Sequence, residues 1–288
     1  MTPPPGWQAA PNPIYTVPSS GIVMDPPLPG PPRLTNLMIE LLPYIEQDNL
    51  QKTWNYTDNT LNLNTATNPK GPAGQVVKSF LCPSSILASS PTAVVSGATY
   101  GLNSYGGVAG RISFSARTTG LPTPPPVQPA APAPLNYNET IHMTKDGMFY
   151  VNSRVKIGGI SDGTSNTMMF GERQHRDPIF DQIYTTFPII GWSGWAWVNQ
   201  ENSVGDYLVG ACRPINWMVP PEAVGSPTNT SNNNWIRQKL SSMSSGHSGG
   251  ANVAMADGSV RFLRNSTDIT VLWAMATRAG GEVFNTDN

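Results

Sequence analysis

Proline decides where this chain can hold regular structure. Residues 1–32 contain eleven prolines. Each fixes its own φ and removes a backbone donor, so neither helix nor ladder can propagate there. That stretch is expected to be an extended arm. A second run, LPTPPPVQPAAPAP at 121–134, holds seven prolines in fourteen residues and reads as a polyproline-like excursion. Residues 33–288 are then expected to form a single domain interrupted by that insertion. With 27 Gly beside 29 Pro in 288 residues, long ordered loops around a β-rich core are expected. An aromatic share of 9% with 8 Trp argues against wholesale disorder.

Charge narrows the partners. Lys plus Arg is 17 and Asp plus Glu is 18, a net charge of −1, so nothing steers the chain to nucleic acid or to an anionic membrane surface. Charged residues are 12% of the chain, roughly half the usual share, which suits an extracellular, cell-surface or periplasmic protein. No run of about 18 apolar residues offers a membrane span, and no charged-then-apolar leader opens the sequence.

The remaining periodicities predict α+β architecture with antiparallel pairing. In RLTNLMIELLPYIEQDNL, Leu34, Leu37, Met38, Leu41, Leu42 and Ile45 share a helical face, with a break at Pro43 opening a second short helical stretch. VVKSFLCP, GATYGLNSYGGVAG, MFYVNSRVKI, TMMFGER and IIGWSGWAWVNQ read as strands and turns. STDITVLWAMATRAGG reads as a helix capped by Ser266 or Thr267 and stopped by Gly280-Gly281.

HSGGANVAMADGSVRFL (247–263) reads as a loop, a strand, an Asp-Gly turn and a strand. With Asp257-Gly258 as the centre of a two-residue type I′ turn, Met255 faces Val260 and Val253 faces Phe262 on the core side. His247 and Asp257 are separated along the intervening strand by about 13 Å, so His247 is expected to tie its loop to the sheet through another partner, Glu172 first.

This segment resembles the His-x9-Asp-Gly motif of a large family of prepilin-like proteins of unknown function, abundant in planctomycete bacteria. ELLPYIEQDNL, FLCPSS, YGLNSYGGVAG, GISDGTSNTMMFGER and WAMATRAGGEV resemble further segments of that family, in order, from about residue 39 to residue 283. The resemblance implies a pilin-like fold, an N-terminal helix packed on a mainly antiparallel sheet. It also implies partners that are copies of the chain or other pilin-like subunits, and His247, Asp257, Gly258, Asp162 and Glu172 as motif positions. Members of that family usually begin with a pilin-type processing site and a long apolar helix. This sequence opens instead on its proline-rich arm, as either a truncated start or a member not anchored as a pilin.

Several residues invite chemical readings. Asp162, Thr164 and Asn166 place oxygen donors at alternate positions, like the opening of a calcium loop, but Arg173 stands where an EF-hand needs glutamate. A stapled turn competes with a calcium site there, and no other cofactor is expected. Trp192, Trp195 and Trp197 crowd one short segment, giving either core packing or an aromatic platform for a solute or glycan. Cys82 and Cys212 are either two buried thiols or one disulfide worth about 4–5 kcal/mol. No nucleophile elbow, phosphate loop or paired metal-ligand motif occurs. A non-enzymatic structural or secretion-accessory protein is therefore expected, ahead of a solute-binding protein. A hydrolase built on Glu172, His247 and Asp257 comes last.

Overall fold

In the computed structural model, which describes residues 35–95, 97–113, 146–150, 153–185, 188–196, 207–225, 235 and 238–282, Pro43 breaks the first helical segment. Helix α1 (Leu37–Leu41) is capped by Asn36, whose Oδ1 accepts from the Ile39 amide at 3.0 Å. A 3-10 turn over Leu42–Ile45 carries Pro43 in its first positions, ends at Glu46 with φ 61°, and gives way to α2 (Asp48–Lys52). Met38, Ile39 and Leu42 are buried against Trp54, Phe80, Tyr100 and Trp195. The antiparallel hairpin of β1 (Thr92–Val95) and β2 (Ala98–Gly101) supplies Val95 and Ala98 to the same cluster. Leu34, both proline-rich runs and Trp197 lie outside the described residues.

A second sheet holds five strands in the order β5-β3-β4-β6-β7. They are β3 (Tyr105–Val108), β4 (Met168–Glu172), β5 (Leu208–Val209), β6 (Gly250–Met255) and β7 (Val260–Arg264). All pairs are antiparallel except β3 with β5, so the sheet is mixed and the architecture α+β. Helix α3 (Pro178–Ile183) starts at an Asp177 cap and buries Phe180 among Ile189, Trp192, Leu208 and Leu240. Helix α4 (Ile269–Ala276) lays Leu272, Trp273, Met275 and Ala276 on Val108, Met168, Val209, Val253 and Met255. Its cap is Asp268, which accepts from the Thr270 amide at 2.7 Å, rather than Ser266 or Thr267. It ends at Thr277 in extended backbone, before Gly280-Gly281.

The terminal hairpin corrects the expected turn by one residue. The Met255 amide donates to Ser259 O at 2.8 Å and the Gly258 amide to Met255 O at 3.0 Å. Ala256, Asp257 and Gly258 therefore form a three-residue connection, with Gly258 at φ 87° in the left-handed position such loops require. Register follows turn length: Val253 pairs with Arg261 and Asn252 with Phe262. Because side chains alternate with period two, a one-residue change moves the whole set to the other face. Val253 and Met255 are buried as expected, but Val260 is 67% and Phe262 49% exposed, while Leu263 packs on the core.

Three expected strands are absent among the described residues. The VVKSFLCP segment forms a 3-10 turn over Lys78–Phe80. The described residues of MFYVNSRVKI are irregular, ending at a 3-10 turn over Ile157–Gly159. IIGWSGWA is a 3-10 turn over Ile189–Trp192 followed by a bridge from Gly194 to Leu102. Trp192 and Trp195 stand three residues apart, an odd spacing that a pleat would place on opposite faces.

Candidate functional site

Cross-strand register assembles the site. Tyr105 on β3 pairs with Glu172 on β4, and Asn252 on β6 pairs with Phe262 on β7. Glu172 follows Gly171, the partner of Val253, so its carboxylate meets Asn252. The Asn252 amide donates to Glu172 Oε2 at 2.7 Å and its Nδ2 to Oε1 at 3.4 Å. The Glu172 side chain is only 4% exposed.

Two loops close over this row. The turn after Lys78–Phe80 presents Cys82, whose carbonyl accepts from the Ser85 amide at 2.9 Å. The SGHSGG loop rides directly on that turn: a Cβ at Gly246 would lie 1.9 Å from Ser84 O, so only glycine permits the approach. Ser245 pins the loop from within. Its amide donates to Asn216 Oδ1 at 2.7 Å, its hydroxyl donates to Gly250 O at 2.5 Å, and its Oγ accepts from the His247 amide at 3.0 Å. His247 Nε2 is thereby set 3.2 Å from Glu172 Oε1 and 3.5 Å from Cys82 Sγ. The ring meets Phe262 edge-on, with centroids 6.5 Å apart.

Burial disfavours the charged forms of the thiol and the phenol at this site. Burial pushes the Cys82 thiol up, and the neighbouring Glu172 adds to the effect, against opposing backbone hydrogen bonds at Ser84 and Ser85. Tyr105, hydrogen-bonded to Cys82, is pushed up to about 12, first by burial and then by Cys82 and Glu172. A thiol held neutral is a weak nucleophile. The same imidazole nitrogen, Nε2, faces both sulfur and carboxylate. A nucleophile–base–orienter relay instead uses the two ring nitrogens separately.

The structure brings Glu172 and His247 together and leaves Asp257 elsewhere. Asp257 sits at the hairpin tip, where its carboxylate accepts from the Ser259 amide at 2.9 Å and hydroxyl at 2.7 Å. Those bonds pull its pKa down. Asp162 accepts from the Gly280 and Gly281 amides at 2.7 and 3.0 Å. Asn166 Nδ2 donates to Asp162 O, and Thr164 O accepts from the Asp257 amide. The DGTSNT segment is thus a stapled turn joining the hairpin tip to the Gly-Gly segment. Trp192 and Trp195 are buried in different core clusters. Trp195 is fully enclosed, its Nε1 donating to Gln75 O at 2.8 Å. Cys82 and Cys212 are both buried, and no disulfide joins them. Cys82 as a neighbour of His247 was not foreseen: 165 residues separate the two, and only the FLCPSS segment marked it.

Among the described residues, Cys82, Glu172 and His247 form a group of metal-capable side chains with donor atoms all within 4.8 Å of one another. A family model described as a protein of unknown function (DUF1559) matches residues 4–270. No curated protein and no solved structure matches the chain.

Proposed function

The chain belongs to the DUF1559 family, and for this member we propose a non-enzymatic, exported, pseudopilin-like role. It acts as a structural or secretion-accessory component at the cell surface or in extracellular assemblies, in contact with copies of itself or other pilin-like subunits. The observation that carries this reading is the edge of the five-stranded sheet. Among the described residues β7 ends the strand order, and it turns Val260 and Phe262 outward on the face that also carries Arg264. Edge strands in proteins that stay apart are usually short, bulged or lined with charge. An exposed apolar pair on this end strand favours strand addition by a neighbour, where backbone bonds give affinity and side chains give selectivity. The low charge and the motif resemblance support the same reading.

The test is association of the purified chain, followed by sedimentation across a concentration series and by electron microscopy. Wild type is expected to form oligomers or filaments. Val260→Lys, at an exposed position, should weaken association at least about tenfold, equivalent to about 1.4 kcal/mol. Its own folding stability should change by no more than about 0.5 kcal/mol. A wild-type chain monomeric at every concentration, or equal association by Val260→Lys, overturns the proposal.

A further inference from the structure

We propose that Cys82, Glu172 and His247 bind one divalent transition-metal ion of the zinc type. This goes beyond the assembly role above and does not rest on it. The three donors come from the turn after Lys78–Phe80, from β4 and from the loop before β6, yet they converge on one point. A tetrahedral zinc, with bonds of about 2.3 Å to sulfur and about 2.0–2.1 Å to nitrogen or oxygen, separates its ligand atoms by about 3.3–3.6 Å. The Sγ–Nε2 distance is 3.5 Å and the Nε2–Oε1 distance 3.2 Å.

Hydrogen bonding alone uses this arrangement poorly. Nε2 offers one direction, either a hydrogen or a lone pair, and here it faces a sulfur and a carboxylate oxygen together. A cation between the three satisfies all of them. The supporting contacts are those of a ligand set: the Asn252 amide and side chain hold the Glu172 carboxylate from behind. Outer partners of this kind fix the orientation of metal ligands. Phe262 limits the tilt of the His247 ring. Thiol with imidazole and carboxylate selects zinc-like ions over calcium or magnesium, which prefer all-oxygen shells. On binding, the thiol proton leaves to solvent as the S–metal bond forms. In the metal-bound form the imidazole carries its proton on Nδ1, which leaves the Nε2 lone pair for the metal. The His247 side chain is 30% exposed, which leaves room for water in a fourth position.

The experiment uses the full chain, stripped with chelator and titrated with Co2+ and then Zn2+. One equivalent of Co2+ should bind, with a thiolate-to-cobalt charge-transfer band and tetrahedral d–d absorption. Zn2+ should bleach both, and excess Ca2+ or Mg2+ should not. Cys82→Ser should lose the charge-transfer band. His247→Ala should weaken Zn2+ binding by about 100-fold or more, beyond the roughly 10–100-fold that loss of an outer partner costs. Cys212→Ser should keep the band and the affinity. Should Cys82→Ser fail to fold, X-ray absorption of zinc-loaded wild type must show one sulfur among nitrogen and oxygen neighbours. No stoichiometric uptake by wild type, a band that survives Cys82→Ser or vanishes in Cys212→Ser, or a zinc shell without sulfur overturns the proposal.

Discussion

Asp162 and Glu172 lie ten residues apart and both secure a glycine-rich segment to the body of the protein, yet their environments differ. Asp162 is partly exposed and accepts from two successive backbone amides, Gly280 and Gly281. Glu172 is buried, takes one amide, and turns its other oxygen toward side chains, His247 and the Asn252 amide group. A carboxylate committed to backbone amides is a staple and has little left for a ligand. One that faces an imidazole beside a thiol keeps a valence that chemistry can use. The same residue class, once in a turn and once at the end of β4, thus does mechanical work in one place and offers coordination in the other.

Substitution separates the two. Glu172→Ala removes a buried carboxylate and strands the Asn252 amide, so the loss expected in urea unfolding is about 3 kcal/mol. Glu172→Gln, still an acceptor for that amide, should recover part of it. A loss no larger than that from Asp162→Ala would break the contrast. Asp162→Ala gives up two partly solvated hydrogen bonds, comparable to a helix cap, and should cost about 1 kcal/mol. Calcium added in excess would have to displace Gly280 and Gly281 from Asp162, so the melting temperature should stay where it is. A calcium-dependent rise would make Asp162 a ligand instead of a staple.

The smallest effect belongs to Asp257, a third carboxylate, whose bonds to the Ser259 hydroxyl and amide lower its pKa. Its unfolded counterpart titrates near about 3.9. A lowered folded pKa contributes stability that is present above that pH and lost as pH falls through the folded value. The stability difference between wild type and Asp257→Asn should therefore shrink on acidification below about pH 4. A difference independent of pH would show that the carboxylate charge plays no part.

Much of the α+β framework was legible because it is written in local chemistry. Pro43 marks a helix break, TMMFGER a strand, and Asp257-Gly258 a turn. The length of that turn was not legible. An Asp-Gly pair fits both a two-residue connection and a three-residue one, and tertiary packing of Val253, Met255 and Leu263 decides between them. The Trp segment misled because its aromatic and β-branched content suggests a strand, whereas the odd spacing of Trp192 and Trp195 goes with their burial in separate cores. Of the candidate site, the meeting of His247 and Glu172 could be guessed across 75 residues. Cys82 could not, because its approach depends on the bare backbone of Gly246 against Ser84, a contact that no periodicity encodes.

The odd number of residues at the hairpin tip has a further consequence. VRFLR has two displays: one presents Val260, Phe262 and Arg264, the other Arg261 and Leu263. Turn length acts as the selector between them. A relative one residue shorter across Ala256–Gly258 would show the opposite display while keeping every residue of the strand, exchanging a mostly apolar rim for a mixed one. Partner choice could then change by a single-codon deletion outside the contact surface itself.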